Sequence, residues 1–242
     1  MVDISAKLVA KTMPIKIAAD TPEELIAYAA RVSNPSNQAN HSTADGLLKY
    51  CMKHKHWSVF EMANAIVEVR APRDITRQLL RHRSFSFQEF SQRYSDEIQF
   101  TDREFRRQDN KNRQNSIDDL SEQQKDDIDF LVCDAKAEAQ NTYKDLRAMG
   151  VAKECSRAVL PEGLTMSTLY VNGTLRSWLH YLDVRDDVGV TQWEHVLLAR
   201  EIRKALKPAF PTVIGMITPE LRPMDPEERQ RAQYRNLQNQ YS

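Results

Sequence analysis

The sequence predicts a single α+β domain. Runs of helical period stand beside two runs of strand character, no internal repeat appears, and no linker-like stretch divides the 242 residues. A chain of this length is long enough to bury a sizeable core.

Thr21-Pro22-Glu23-Glu24 has the spacing of a capping box with proline at the first helical position. Leu25, Ile26, Tyr28, Ala29 and Val32 follow at helical spacing, so 22–32 is expected to be a helix. A second helix is expected over 44–54, with Leu47, Leu48, Cys51 and Met52 on one face. From Ala63 to Val69, residues Ala65, Val67 and Val69 alternate with Ile66 and Glu68, which predicts a strand. Pro72 opens a helix through Leu80 with Ile75, Leu79 and Leu80 toward the core. Residues 101–120 are polar without an apolar period and predict a loop. Ser121 caps a long helix that stops at Gly150, a short helix covers 152–159, and 164–171 has strand character. Two more helices fit 174–184 and 191–206, the second with Trp193, Val196, Leu197, Ile202 and Leu206 as its apolar side. From Pro219 the composition turns charged and Gln/Asn-rich, so 223–242 is expected to be a polar tail.

Lys+Arg and Asp+Glu both number 34, so the formal net charge is zero. A dedicated nucleic-acid binder usually carries a global basic excess, because phosphate neutralisation dominates its affinity. The basic character here is local and favours a phosphorylated small molecule. Cys51, Cys133 and Cys155 are scattered without a C-x-x-C pair, which indicates neither a disulfide framework nor a zinc ribbon, and no metal site is expected. No run approaches the ~20 apolar residues of a membrane span. The expectation is a soluble, cytoplasmic protein with reduced thiols, and no nucleic-acid or membrane partner.

Most of the functional information lies in Arg81-His-Arg-Ser-Phe-Ser-Phe-Gln-Glu-Phe-Ser-Gln-Arg93. Arginines and a histidine surround Glu89, with serines and Phe85, Phe87 and Phe90 between them. A solvated loop has little use for the phenylalanines, and a buried strand tolerates few unpaired charges. The mixture suits a pocket for a flat, anionic ligand rich in hydrogen-bonding groups, such as a nucleotide, because arginine offers phosphate a rigid fork. Two other readings fit the same residues: an ion-pair knot with its phenylalanines in the core, and a stacking platform for single-stranded nucleic acid.

Elsewhere, His54-Lys-His56 lacks the companions of a metal site and reads as surface or ligand contact. Arg176, His180 and Asp183 share one face of the helix at 174–184, and Arg185 is its last cation, as in a salt-bridged helix end. With six glycines and no G-x-G-x-x-G or Walker motif, a cofactor cannot be held in the Rossmann or P-loop manner.

Arg81-His-Arg, seven residues and then Ser91 resemble the signature of the flavin-dependent thymidylate synthases. Arg77-Gln78 before it and Gln92-Arg93-Tyr94-Ser95 after it extend the match, as do Ala30-Arg31-Val32-Ser33, His54-x-His56-x-Ser58-x-Phe60-Glu61 and Arg157-x-x-Leu160-Pro161. Gly173-Thr-x-Arg176-Ser-Trp-x-His180-x-x-x-x-Arg185 completes it, so the resemblance spans about 25–205. It departs at Gln88, where Asn is more usual, and at Thr174, where Asn or Ser is.

The resemblance implies a mostly antiparallel sheet flanked by helices, a catalytic domain over 1–222, and a homotetramer with active sites at subunit interfaces. It implies conversion of dUMP to dTMP, with 5,10-methylenetetrahydrofolate as carbon donor, FAD as hydride donor and NADPH as reductant, without a cysteine nucleophile. Carried over by position, Ser58, Glu61, Arg81, His82, Arg83, Glu89, Thr174, Arg176 and His180 would hold FAD. Gln78, Arg81, Glu89, Phe90, Ser91, Gln92, Arg93, Arg157 and Arg185 would hold dUMP. Arg185 would be catalytic, polarising the uracil so that its N3 proton is lost and C5 activated.

Overall fold

The computed structural model describes residues 3–188 and 190–217, so the expected tail at 223–242 lies outside the described residues. The chain opens with β1 (Ser5–Lys11), absent from the sequence expectations because it is an edge strand with no fully buried residue and no clean alternation. Helix α1 (Pro22–Ala30) starts at the expected capping box: Thr21 Oγ1 accepts from Glu24 N and the Glu24 carboxylate from Thr21 N. It ends two residues earlier than expected, and its core face is Pro22, Glu23, Ile26 and Ala27, leaving Val32 exposed. Helix α2 (Ala44–Lys53) buries Ala44, Leu48 and Cys51.

A 3₁₀ segment, Trp57–Met62, sets Phe60 in the core and leads into β2 (Asn64–Pro72). In β2 the expected alternation holds, with Ala65, Val67 and Val69 inward, and Pro72 ends the strand rather than beginning the helix. Its missing N–H and the restricted conformation of the residue before a proline suit that junction. Helix α3 (Arg73–Leu79) follows, then β3 (Ser86–Glu89). The segment judged unfit for either loop or buried strand therefore has a short edge strand at its centre, with Phe87 half-buried in it, Phe85 buried just before it and Phe90 exposed just after it.

The expected loop at 101–120 contains a two-stranded ladder, β4 (Arg107–Gln108) against β5 (Ser116–Ile117). Its polar sequence hides it because ionic contacts fix it: Arg106 reaches Glu194 at 2.7 Å and Arg103 clasps Asp74 at 3.0 and 3.1 Å. Helix α4 (Glu122–Ala148) carries the Ser121 cap and stops before Gly150, whose φ of 82° is open to glycine. After α5 (Lys153–Ser156) and a 3₁₀ turn, β6 (Met166–Thr174) runs three residues beyond the expected end. Then come α6 (Leu175–Arg185), α7 (Trp193–Leu206) and α8 (Pro211–Gly215).

The main sheet has the order β1-β2-β6-β3, and every neighbouring pair is antiparallel. Helix α7 packs on β1 and β2, and α6 packs on α7, β6 and the 3₁₀ segment. Trp178, Tyr181, Leu169, Leu175, Leu182, Leu198 and Phe210 are all fully buried there. Each aliphatic side chain of this kind contributes about 1.5–3 kcal/mol on burial. On α7 the inward face is Glu194, His195, Val196, Leu198, Ala199, Ile202 and Leu206, so Leu197 is replaced by Leu198 and two polar residues join the core. This packing fixes α6 beside the end of α3, which creates the site.

Candidate active site

The end of α2, the 3₁₀ segment, the turn after α3 and the exposed face of α6 enclose a cavity of about 810 Å³, within the range of small-molecule sites. Met52, Trp57 and Leu179 give it apolar walls, while Lys55, Glu61, Arg176, His180 and Asp183 bring charge. Arg176, His180 and Asp183 line it together, as their spacing on one helix face predicts. The Arg176 guanidinium pairs with the Glu61 carboxylate across the opening. Lys55 lies at the rim with φ 58°, a left-handed conformation uncommon for a side-chain-bearing residue. His54 packs on Tyr50, ring centroids 4.2 Å apart.

Beside the cavity, the last residue of α6 meets the turn after α3. Arg185 Nε donates to His82 Nε2 at 3.0 Å. Arginine has only donors, so His82 Nε2 must be bare and its proton must sit on Nδ1. Burial, together with the Arg185, His180 and Arg81 charges, lowers the His82 pKa to about 4, so the ring is neutral near pH 7. Burial also lowers the Arg185 pKa, with Arg81 acting in the same direction. A guanidinium held this way keeps its remaining N–H groups for a ligand, in a partly desolvated place where its charge acts strongly.

Behind His82 lies a buried polar array. Tyr181 meets the His82 ring edge-on at 5.1 Å, and its hydroxyl is 3.1 Å from His195 Nε2. His195 Nδ1 is 3.2 Å from Gln78 Oε1, and Gln78 Nε2 donates to Gln192 Oε1 at 2.8 Å. Gln192 Nε2 donates to Glu194 at 3.0 Å. Burial, then the charges of Arg185 and His82, hold the His195 pKa near 3. Burial raises that of the Tyr181 hydroxyl far above its ordinary value. For Glu194, desolvation is the largest influence and raises the pKa, but the Arg106 charge and hydrogen bond win and hold it below the usual carboxylate value.

The other expected site residues fall in several places. Arg81 and Arg83 are exposed in the turn beside His82, and Ser84 of that turn lines the cavity. Ser58 is exposed in the 3₁₀ segment, between the wall residues Trp57 and Glu61. The Thr174 hydroxyl accepts from Ser177 N at 3.2 Å, so it serves as the N-cap of α6. Glu89 accepts from the Ser167 hydroxyl at 2.7 Å and lies 3.8 Å from Arg73. Phe90 and Gln92 line a smaller recess of about 130 Å³ with Arg70 and Ser167. Arg93 pairs with Glu154 at 3.2 Å, and Arg157 sits in the turn after α5. Gln78, Glu89, Ser91, Gln92, Arg93, Arg157 and Arg185 are not wall residues of the 810 Å³ cavity.

Sequence reasoning missed Lys55, Trp57 and Ser84 as wall residues, and the array of Tyr181, Gln192, Glu194 and His195. One signal was present: Glu194 and His195 interrupt the apolar side of a strongly periodic helix, and buried polar residues need partners.

The cavity suits a flavin nucleotide. Its apolar walls match flat ring faces, and Lys55, Arg176 and His180 supply donors for a phosphate or a polar ring edge. Among the described residues no cluster of His, Cys, Asp and Glu could hold a metal. Fold and site together define an α+β protein with a nucleotide-sized cavity whose charged side chains come from the end of α2, the 3₁₀ segment and one face of α6. The model of the Thymidylate synthase complementing protein family matches residues 12–212, and the chain belongs to this family.

A probable flavin-dependent thymidylate synthase of Paramecium bursaria Chlorella virus 1 is 46% identical over 214 residues, covering 87% of this chain and 97% of that one. The flavin-dependent thymidylate synthase of Synechocystis sp. is 46% identical over 197 residues, covering 81% and 90%. Among solved structures, the UMP/dUMP methylase PolB from Streptomyces cacaoi bound with 5-Br dUMP superposes with a TM-score of 0.75 at 27% identity, covering 89% of this chain and 94% of that one.

Proposed function

We propose that the chain is a flavin-dependent thymidylate synthase, converting dUMP to dTMP with 5,10-methylenetetrahydrofolate as carbon donor and NADPH as reductant. The observation that carries this reading is the junction of Arg185 with His82 beside the cavity of Glu61, Arg176 and His180, residues from three separated segments of the chain. Glu61, Arg176 and His180, with Ser58, Arg81, His82, Arg83, Glu89 and Thr174 around them, would hold FAD, which when reduced supplies a hydride.

Arg185 places a fixed cation where negative charge develops on the uracil and favours loss of the N3 proton, which activates C5. His82 fixes the Arg185 guanidinium and, being neutral, does so without a competing charge. Gln78, Arg81, Glu89, Phe90, Ser91, Gln92, Arg93 and Arg157 would bind dUMP. The cysteines agree with a mechanism that needs no thiolate: Cys51 is buried with its thiol pKa raised by burial, and neither Cys133 nor Cys155 lines the cavity.

The dispersion of these nucleotide contacts supports a homotetramer in which one subunit completes the site of another. Helix α4 supports it too, since Tyr143 is its only buried residue while Phe130 and Leu131 are exposed. The catalytic domain would run over 1–222, followed by a polar tail. No helix among the described residues is long and apolar enough to cross a membrane, which agrees with a cytoplasmic site of action. The test is tritium release from 5-tritiated dUMP, with FAD, NADPH and methylenetetrahydrofolate each omitted in turn. Release that needs FAD and NADPH is expected. Flavin-independent release, or none from folded protein that retains flavin, would overturn the proposal.

A further inference from the structure

We propose that His195 is a positioning residue that clamps the Gln78 carboxamide, in the orientation that Glu194 and Gln192 impose on it, toward the nucleotide. The functional part rests on Gln78 as a dUMP contact, as proposed above. The order of hydrogen bonds follows from one fixed end. Glu194, 2% exposed and held by Arg106 at 2.7 Å, is a carboxylate and can only accept. Gln192 must therefore offer it Nε2, which turns Gln192 Oε1 toward Gln78. Gln78 in turn must offer Nε2 to Gln192, which turns its Oε1 toward His195.

An amide oxygen cannot donate, so His195 Nδ1 carries the proton and Nε2 is bare. The Tyr181 hydroxyl then donates to Nε2. The array is thus a one-way chain: Tyr181 to His195, to Gln78, to Gln192, to Glu194. His195 and Tyr181 are fully buried and act only through their partners. Gln78 is half-buried, and it keeps one amide hydrogen and one oxygen lone pair beyond those used by Gln192 and His195. Because its two ends are fixed in opposite senses, the remaining donor and acceptor have fixed places, and this orientation selects the edge of a base that can pair there.

The test uses the full-length, flavin-loaded protein and three variants. His195→Asn keeps a donor near the Nδ1 position, His195→Gln keeps a group near Nε2, and His195→Phe keeps neither. One buried hydrogen bond of ordinary strength corresponds to about a tenfold change in affinity. His195→Gln and His195→Phe should raise KM for dUMP about tenfold with a smaller change in kcat, whereas His195→Asn should stay within about threefold of the parent. Equal rises in the Asn and Gln variants, or an unchanged KM in the Phe variant, would overturn the proposal.

Nitrogen-15 spectra of labelled histidine give a readout independent of turnover. The resonance lost in His195→Asn should belong to an Nδ1–H tautomer, and an Nε2–H tautomer would overturn the chain even in an active enzyme. Absence of dUMP turnover in the parent protein would instead overturn the role of Gln78 and leave the bond order to the spectra.

Discussion

Gly173→Ala should damage the protein by a mechanism that can be measured cleanly. Gly173 lies in β6 opposite Ala65, and a Cβ there would stand 2.3 and 2.4 Å from Phe85 Cδ1 and Cε1. Real Cβ contacts are essentially never under 3.0 Å, so the ring or the strand must move. Neither moves freely. The Phe85 ring is buried and lies 4.4 Å from Trp178, 6.0 Å from Tyr181 and 6.1 Å from Phe87 between ring centroids.

Overpacking of this kind costs about 1–3 kcal/mol. At roughly 2–4 °C per kcal/mol for a chain of this size, Tm should fall by about 2–12 °C. The strain also reaches the cavity, because Ser84 lines it and its carbonyl accepts from the Ser177 hydroxyl. Flavin affinity should therefore weaken alongside stability. Thermal unfolding followed by circular dichroism, with the urea midpoint as a second probe, reads the effect. Gly46→Ala is the control: nothing lies within 4 Å of a Cβ there, and alanine inside α2 should stabilise by about 0.5–1 kcal/mol. A Gly173→Ala protein as stable as the parent would refute the claim that Phe85 is locked against β6.

Arg185→Ala should lower kcat by about 100-fold or more while bound flavin, read from its absorbance, stays largely intact. Loss of flavin instead would reassign Arg185 to the cofactor. Glu194→Ala leaves Arg106 buried without its main partner and should destabilise by about 3–5 kcal/mol in urea unfolding. A loss within experimental error would mean that the 101–120 excursion is not anchored through this pair.

Stability should also fall with acid. His82 and His195 have folded pKa values near 4 and 3, below the ordinary 6.5, so the unfolded chain binds protons first. Their contribution is complete above pH 6.5 and is lost as pH falls toward those values. In His195→Asn the slope of urea midpoint against pH should be shallower in that window, and an unchanged slope would count against a neutral buried His195.

The sequence was legible where local chemistry decides the outcome. The Thr21 capping box, the Ser121 cap, the stop at Gly150 and the alternation of Ala65, Val67 and Val69 all stand as read. Each rests on near neighbours: a side-chain oxygen three residues from an amide, a left-handed φ, or a period of two. β1 and β3 were not legible, because an edge strand is defined by the partner it pairs with, and those pairings join Leu8 to Val67 and Phe87 to Val171. The β4–β5 ladder was hidden because the segment that carries it is held by distant partners, Arg103 and Arg106 just before β4 reaching Asp74 and Glu194 far away in the chain.

For the site, the sequence by itself determined residue chemistry and family: the cluster from Arg81 to Arg93, the helix face of Arg176, His180 and Asp183, and the motif match that the family assignment bears out. Spacing alone read Arg185 as an ordinary cation at a helix end. Only the tertiary structure put its Nε on His82 and made the imidazole a neutral acceptor. Only the packing of α7 on the sheet placed His195 between Tyr181 and Gln78, residues 14 and 117 positions away. Hydrogen-bond order and desolvation depend on what lies within a few ångströms in space, and a linear pattern does not carry that distance.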